Sequence, residues 1–228
     1  MSNEDLVQRL VNEGLIRATA VRRAFLSVDR RSFVMDQNAS EAYIDSPLAT
    51  MSGQTISAPH MVAIMVSELR LGMGMKVLEI GGGSGYHAAV VSRLIGPKGF
   101  VISIERVPEL ARWGKENLMR AGIDNVHLIE GDGSIGFPPQ APYDRIYYTA
   151  GAPDVPQVVR DQLKDGGIIL GVIGPPNGAQ RLVRLTKKGS GWKEEMLTHC
   201  IFVPLIGEKG YPASSRGQGS IFWPFQGP

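Results

Sequence analysis

Residues 76–86, which read KVLEIGGGSGY, decide the fold of this chain. Residues 76–80 form a short β-like run, a glycine-rich turn follows, and residues 86–94 have the apolar spacing of a helix. The same unit repeats along the chain. Further strands are predicted at 100–105, 126–130, 144–149 and 167–173, with helices at 108–121 and 156–163. Because strands that alternate with helices pair in parallel, the sequence predicts an α/β fold with a doubly wound, mostly parallel sheet.

Two kinds of segment flank this core. Before it, residues 4–16 and 19–28 have helical apolar spacing, and Pro59 opens a third helical pattern that runs to residue 71. After it, the β-like runs 181–186 and 197–204 are joined by a glycine-rich turn, which favours an antiparallel pair at one edge of the sheet. N-terminal helices and a C-terminal antiparallel β pair therefore complete the predicted fold.

The composition restricts the possible partners. The chain has 228 residues, which fit one large α/β domain, and a net charge of only +2, which does not favour nucleic acid or an anionic membrane. No uncharged apolar run is long enough to span a bilayer, and the first residues lack the features of a secretory signal. Cys200 has apolar neighbours, which indicates a buried, unreactive thiol in a reducing compartment. We therefore expect a cytoplasmic monomer with neither a nucleic-acid nor a membrane partner.

The glycine-rich turn is the first candidate for ligand binding. In a doubly wound fold, ligands bind at the carboxyl ends of the strands, where glycine permits close approach of the backbone. A dinucleotide fingerprint starting at Gly81 would need glycine at position 86, which is Tyr86. The chain instead has the pattern acidic-x-G-x-G-x-G, with Glu79 at the end of the strand. This pattern resembles motif I of class I S-adenosylmethionine-dependent methyltransferases, which have a Rossmann-like fold; a plain tight turn is the alternative.

Two acidic residues strengthen the resemblance. Glu105 ends the next predicted strand, about 20 residues beyond the glycines, where a carboxylate accepts hydrogen bonds from ribose hydroxyls. Asp132 and Gly133 follow the third strand, where the acidic side chain is placed to reach the adenine edge. Taken alone, each has a plainer explanation: Glu105 as a solvated residue before a helix, and Asp132 as part of an Asp-Gly turn.

The stretch GQTISAPHM at residues 53–61 is the most distinctive in the chain. Together with other segments it resembles the protein-L-isoaspartate O-methyltransferase family over roughly residues 5–207. These segments are RRSFV at 30–34, DSPL at 45–48, VLEIG at 77–81, GDG at 131–133, YDRI at 143–146, QLKDGG at 162–167 and FVPL at 202–205. The resemblance implies transfer of a methyl group from S-adenosylmethionine to the free α-carboxylate of an isoaspartyl residue in a damaged protein or peptide. The ester then cyclises to a succinimide, which starts repair.

The resemblance also implies the site residues. Ser57 matches the catalytic serine, and no metal is expected. The residues that match cofactor-binding positions are Thr55, Ile56, Ser57, His60, Glu79, Gly81, Gly83, Ser84, Gly85, Glu105, Asp132 and Gly133. Because a substrate carboxylate is already ionised at neutral pH, the reaction needs alignment, worth about 7–11 kcal/mol, rather than a general base. The alternatives are a helix cap before Pro59 for Ser57 and a purely structural role for His60.

The chain departs from the family pattern at several positions. It has Thr50-Met51-Ser52 in place of an Ile-Gly-x stretch, Gly82 in place of threonine, His87 in place of glutamine or asparagine, and Ile206 where some members have threonine. Two alternatives remain open: a related carboxyl methyltransferase acting on a dedicated peptide, and a non-catalytic S-adenosylmethionine-binding module. A nucleic-acid methyltransferase is disfavoured because residues 149–153 read TAGAP rather than an Asn-Pro-Pro-aromatic sequence.

The sequence predicts a single methyltransferase domain over residues 1–228. Within it, 1–58 is the N-terminal helical and active-site segment, 59–175 the cofactor-binding core, 176–207 the edge strands and 208–228 a tail. The tail is rich in glycine, serine and proline and ends in an aromatic stretch at 221–225, and its sequence predicts no regular element.

Overall fold

The computed structural model of the protein describes residues 1–215. Its strands are β1 (Leu48–Ala49), β2 (Thr55–Ile56), β3 (Lys76–Ile80), β4 (Phe100–Glu105), β5 (Val126–Glu130), β6 (Tyr143–Tyr148), β7 (Leu163–Ile173), β8 (Gln180–Lys188) and β9 (Gly191–Cys200). Its helices are α1 (Asn3–Asn12), α2 (Thr19–Ser27), α3 (Pro59–Glu68), α4 (Tyr86–Ile95), α5 (Pro108–Arg120) and α6 (Gln157–Arg160). From residue 1 to residue 215, no helix is both long and apolar enough to cross a membrane.

Seven strands form the central sheet, in the order β5-β4-β3-β6-β7-β8-β9. The first five are parallel, and β8 and β9 join them antiparallel at one edge. This confirms the predicted doubly wound, mostly parallel sheet with a C-terminal antiparallel pair. The strand order reverses at β3, because β4 and β5 lie on one side of it and β6 and β7 on the other. A ligand cleft is expected at the carboxyl ends of β3 and β6, where the crossovers diverge.

Strand β3 lies in the middle of the parallel strands, and its sequence fits a strand covered on both faces. Val77, Leu78, Glu79 and Ile80 are all fully buried, so burial is continuous along the strand rather than alternating. On one face, Phe25 of α2 meets Tyr86 of α4 edge to face, with 6.5 Å between ring centroids. This contact ties the predicted N-terminal helices to the start of α4, directly after the glycine loop.

Several element ends differ from the sequence prediction for local reasons. Helix α1 stops short of residue 16 because Gly14 adopts a left-handed conformation with φ of 72°. Helix α3 ends at Glu68 rather than at the predicted residue 71, because the backbone of Arg70 also has a positive φ, of 50°. Strand β7 starts at Leu163 rather than 167, since the chain keeps pairing with β6 through a shift in register. A turn-like sequence can therefore belong to a strand when a neighbouring strand holds it.

The edge hairpin also differs from the prediction. Strand β9 begins at Gly191 and ends at Cys200, whereas the predicted range was 197–204, because its pairing with β8 runs back to the turn at Gly189. The chain after β9 leaves the sheet, and Pro204 forms a single bridge to Gly151 just beyond β6. Cys200 at the end of β9 is buried as predicted, and burial raises the pKa of its thiol to about 12.

Two further features fall outside the predicted elements. Strands β1 and β2 form a small antiparallel sheet in which Leu48 pairs with Ile56. The first part of the predicted tail is described, and it includes a short 3-10 turn at Ala213–Ser215. Residues 216–228, with the aromatic stretch at 221–225, lie outside the described residues.

Candidate active site

A cleft of about 850 Å3, including its open mouth, lies at the carboxyl ends of β3 and β4 and beside the segment after β6. The predicted site residues that line it are Thr55, Ile56, Ser57, Glu79, Gly81, Gly83, Ser84, Glu105 and Gly133. The predicted residues that do not line it are His60, Gly85 and Asp132. Most of the predicted residues, which are far apart in the sequence, therefore meet in one place.

The glycine loop is fixed by its own backbone. The N–H groups of Gly81 and Gly82 both donate to Ile104 O in β4, at 2.9 and 3.0 Å. Gly81 has a φ of 101°, and a side chain there would collide with Thr149 Oγ1. Gly85 precedes α4 in a left-handed conformation and packs against α5, which explains why it lies behind the cleft wall. The loop therefore presents bare backbone to the cleft, and a ligand can approach it closely.

Glu79 is a fully buried carboxyl group in the wall of the cleft. Tyr147 OH donates to its Oε1 at 2.7 Å, and Ser103 Oγ donates to its Oε2 at 2.5 Å. Burial raises the pKa of Glu79 to about 8, although both hydrogen bonds favour the ionised form. The Ser103 hydroxyl also fills the space beside Gly82, so a threonine at position 82 would collide with it. A cation in the cleft would favour the ionised form of Glu79.

Glu105 joins the glycine loop to the start of α5. Its Oε2 accepts a hydrogen bond from Gly83 N at 2.9 Å, and its Oε1 accepts one from Val107 N at 2.8 Å. The residue is only 7% exposed. A carboxylate offers about four acceptor positions, so these two bonds leave capacity for hydroxyl donors in the cleft. Ribose hydroxyls are donors of this kind.

His87, on the first turn of α4, is a cleft residue that sequence reasoning noted only as a departure. Its ring lies 4.6 Å from that of Tyr147, centroid to centroid. Neither ring nitrogen has a hydrogen-bond partner within residues 1–215. Burial lowers the pKa of His87 to about 3, so the ring is neutral at physiological pH. Its place one turn beyond the glycines was the signal that it faces the cleft.

Ser57 lies on the opposite wall, between β2 and α3. It is half-buried, and Arg30 Nη2 donates to its main-chain oxygen at 3.1 Å. The alternative that Ser57 caps α3 is wrong, because the cap residue is Ala58 and no side chain of that residue bonds the helix. Ser57 stands one residue too early for that role. Its hydroxyl is therefore not committed to the helix.

The start of α3 is capped from a distance instead. Asp45 Oδ1 accepts a hydrogen bond from His60 N at 2.9 Å and lies 3.0 Å from His60 Nδ1. These contacts hold His60 beside Asp45 and away from the cleft wall, which is the structural role considered as the alternative. The DSPL and SAPH segments are thus joined directly by one carboxylate and one histidine.

Asp132 fastens the chain beyond β9 to the edge of the cleft. Its Oδ1 accepts from Ser134 N at 2.9 Å and its Oδ2 from Glu208 N at 2.8 Å. Burial alone would raise the pKa of Asp132, but these N–H donors outweigh it and lower the pKa below its ordinary value. Gly207 passes so close to Asp132 that a side chain at position 207 would collide with the carboxylate. The segment thus held leads directly from Val203–Ile206, which line the cleft.

The rim of the cleft contains the largest departure from the family pattern. Residues 51–53 form a tight turn in which Ser52 has a left-handed backbone with φ of 54°. Ser52 Oγ donates to Glu109 Oε1 on the first turn of α5. This bond connects the two walls at the rim.

Within residues 1–215, no cluster of three or more His, Cys, Asp or Glu side chains is arranged to hold a metal ion.

A doubly wound sheet whose glycine loop, Glu79 and Glu105 meet at its switch point defines a class I S-adenosylmethionine-dependent methyltransferase. The model of the family described as protein-L-isoaspartate(D-aspartate) O-methyltransferase matches residues 1–210, and the chain belongs to that family. Its cofactor is S-adenosylmethionine, and its activity is O-methylation of isoaspartyl residues. Both conclusions agree with the resemblance seen in the sequence.

Individual relatives agree over nearly the whole chain. A protein-L-isoaspartate O-methyltransferase of Methanococcus maripaludis is 49% identical over 206 residues, which are 90% of this chain and 96% of the relative. One of Pyrococcus abyssi is 51% identical over 207 residues, 90% of this chain and 94% of the relative. A solved protein-L-isoaspartate O-methyltransferase has a TM-score of 0.84 at 34% identity and covers 91% of this chain and 67% of its own. A Plasmodium falciparum beta-aspartate methyltransferase in complex with S-adenosyl-L-homocysteine has a TM-score of 0.79 at 26% identity, with coverage of 90% and 99%.

Proposed function

We propose that Ser57 orients the isoaspartyl carboxylate for methyl transfer in this cleft, while the glycine loop, Glu79 and Glu105 hold the cofactor. One observation carries this assignment: Ser57 lines the same cleft as the glycine loop, from the opposite wall. Its hydroxyl is not used as a helix cap, so it is available as a donor. The cofactor wall and the acceptor residue therefore face one shared volume.

The residues of the cofactor wall fit S-adenosylmethionine by their chemistry. Glu105 retains acceptor capacity for the ribose hydroxyls, and bare backbone at Gly81 and Gly83 permits close approach. Glu79 suits the ammonium group, because a buried carboxyl with a raised pKa gains from a neighbouring positive charge. Further contacts come from the predicted residues Thr55, Ile56, Ser84 and Gly133. When bound, the cofactor supplies an electrophilic methyl group on a sulfonium sulfur.

Three of the predicted site residues do not line the cleft but hold its walls in place. His60 and Asp132, which the family resemblance assigns to the cofactor, each hold a neighbouring segment by hydrogen bonds: His60 the DSPL segment, and Asp132 the segment after β9. Gly85 permits the close packing of α4 against α5. We assign these three residues to the placement of the walls rather than to direct contact with the cofactor.

The acceptor side needs orientation and little else. An α-carboxylate is ionised at neutral pH, so no group has to remove a proton from it. A hydrogen bond from Ser57 Oγ to one carboxylate oxygen leaves the other oxygen free to attack the methyl carbon. The bond that forms is carbon to oxygen, the bond that breaks is carbon to sulfur, and the positive charge of the sulfonium is neutralised by the carboxylate. Correct alignment of the reacting atoms then supplies most of the rate increase.

Matched peptides test this function. An isoaspartyl peptide should accept the methyl group, and the same peptide with a normal aspartyl residue should not, because a wall that positions one carboxylate geometry misplaces the other. Equal rates on both peptides would contradict the repair function and favour a general carboxyl methyltransferase. Binding of the cofactor without methylation of either peptide would favour the binding-only module. Reaction confined to one peptide sequence would favour a dedicated substrate.

We also propose a cytoplasmic monomer that acts on proteins and peptides with neither a nucleic-acid nor a membrane partner. The near-neutral charge of +2 supports the choice of partner, and the single buried cysteine suits a reducing compartment. Light scattering on the purified protein measures the oligomeric state directly.

A further inference from the structure

Arg30, in the 3-10 turn Arg30–Phe33 after α2, is a cation with no exposure to solvent. Burial of an ionised group is costly unless polar partners replace water. Within residues 1–215, every hydrogen bond of the Arg30 guanidinium goes to a main-chain oxygen and none to a carboxylate. Its ring neighbour is Tyr86, whose centroid lies 6.0 Å from the guanidinium carbon. The hydrogen bonds of this buried guanidinium therefore go to main-chain oxygens, and Asp45 acts on it without a direct ion pair.

Arg30 binds three main-chain oxygens, one of which belongs to Ser57 in the acceptor wall, the part of the cleft lining formed by residues 54–57. Nη1 donates to Ala42 O at 2.6 Å, and Nη2 donates to Ser46 O and Ser57 O, both at 3.1 Å. One nitrogen therefore holds Ser57 against the loop that contains Ser46. The planar fork of a guanidinium suits this task, because it presents donors in fixed directions on two nitrogens, whereas lysine presents a single point.

Ser57 has little other support on its main chain. It follows the two-residue strand β2, which pairs only with the two-residue strand β1. It precedes Ala58, which begins α3 without a side-chain cap. Because the peptide unit is planar, a fixed carbonyl at Ser57 fixes the plane that carries its neighbour Ala58 and limits the positions open to the Ser57 hydroxyl. The Arg30 contact thus fixes the Ser57 carbonyl directly.

We propose that Arg30 is a positioning residue for methyl transfer, which sets the place of the Ser57 hydroxyl by holding the Ser57 carbonyl. This inference rests on the role proposed above for Ser57. Arg30 acts through Ser57 and touches neither reacting molecule. It also gives the acceptor wall a buried positive charge, which favours a carboxylate ligand over a neutral one.

Substitution of Arg30 tests the proposal, with its exposed neighbour Arg31 as the matched control. Arg30→Lys and Arg30→Gln should bind S-adenosylhomocysteine within about threefold of the unsubstituted protein, because the glycine loop is unchanged. Their kcat on an isoaspartyl peptide should fall about 10- to 100-fold, since small misplacement of an orienting group has effects of this size. Arg31→Lys should change neither quantity, because Arg31 is exposed and its side chain donates to Ala39 O, outside the cleft. If both Arg30 variants lose S-adenosylhomocysteine binding, Arg30 supports the fold at large and the proposal is overturned.

A double-substitution cycle separates positioning from a merely structural role. If Arg30 acts through Ser57, then Ser57→Ala should lower kcat in the otherwise unsubstituted protein and have little further effect in the Arg30→Lys protein. Effects that simply multiply would overturn the assignment of Arg30 while leaving that of Ser57 intact. A normal kcat in Ser57→Ala alone would overturn both assignments.

Discussion

The wall of the cleft formed by the glycine loop carries two buried carboxyl groups, those of Glu79 and Glu105, whereas the wall formed by residues 54–57 is backed by the buried guanidinium of Arg30. In the proposed arrangement, the first wall binds a cofactor with a cationic sulfonium and ammonium, and the second binds an anionic carboxylate. Because each ligand meets the opposite charge, the arrangement favours one orientation of the pair over its reverse. The comparison teaches that the distribution of charge across the cleft can orient the two ligands relative to each other.

Substitution of Glu105 should have the largest effect and should be confined to the cofactor wall. Glu105→Ala removes acceptors for ribose and for the N–H groups of Gly83 and Val107. Since a hydrogen bond to a charged group contributes about 1.5–3 kcal/mol, calorimetry should show S-adenosylhomocysteine affinity lowered by about 10- to 100-fold. Glu130→Ala is the control, because Glu130 pairs in register with Glu105 but is exposed and outside the cleft. Equal losses in both variants, or none in Glu105→Ala, would remove Glu105 from the ribose role.

Substitution of Ser57 should have a somewhat smaller effect, confined to the acceptor wall. Ser57→Ala should lower kcat on the isoaspartyl peptide, because the carboxylate is then poorly oriented. The expected increase in activation free energy is about 1–3 kcal/mol. Affinity for S-adenosylhomocysteine and the melting temperature should stay near their original values, because Ser57 does not cap α3. Ser67→Ala provides the comparison, since Ser67 is exposed and its hydroxyl donates to Ala63 O within the same helix. Unchanged turnover in Ser57→Ala would remove the serine from the reaction.

The smallest expected effect concerns protons at Glu79. The pKa of Glu79 is about 8 in the folded protein, above the ordinary 4.5, so its carboxyl group is protonated at pH 7. The folded state therefore holds this proton more tightly than the unfolded state does, and the resulting stabilisation of the fold is lost as pH rises through 8. An ammonium group beside it favours ionisation. S-adenosylhomocysteine affinity should therefore rise a few-fold between pH 6 and 8, with proton release. Calorimetry in buffers of different ionisation enthalpy measures that release.

Glu79→Gln is the matched variant for this test. The substitution keeps the shape of the side chain but cannot titrate, so both the proton release and the pH dependence of affinity should disappear. Between pH 6 and 9, its stability should also vary less than that of the unsubstituted protein, because one group with a raised pKa is gone. An identical pH dependence in the two proteins would show that Glu79 is not the group that titrates.

The two walls also differed in how far the sequence could predict them. Strand, glycine turn and helix follow one another directly at 76–95, so Glu79 near the end of the strand and the loop after it were predicted as neighbours from local sequence. The acceptor wall depends on bonds such as Arg30 to Ser57, across 27 residues, and no local pattern reports such a bond. His60 shows the limit of the resemblance, because the motif placed it in the correct segment but its ring faces Asp45 instead of the cleft.

In the rest of the fold, too, features with a local sequence pattern were predicted well and features set by distant contacts were not. Strands β3 to β6 were predicted to within one residue of their ends, because β-like runs between helices are a local signal. The bounds of β9 were wrong, since pairing with β8 and the turn at Gly189 set them rather than hydrophobicity. Departures at Gly82 and His87 could be noticed but not explained from the sequence, because their explanations lie in Ser103 and in Tyr147, on other strands.

The attachment of residues 207–209 to Asp132 and Ser134 has a consequence for the making of the protein. A nascent chain that has emerged only as far as β9 contains the glycine loop, both walls' charged residues and the complete parallel sheet. It still lacks Val203–Ile206, which line the cleft, and the contact that fastens them. The cleft is therefore completed by almost the last part of the described chain to leave the ribosome.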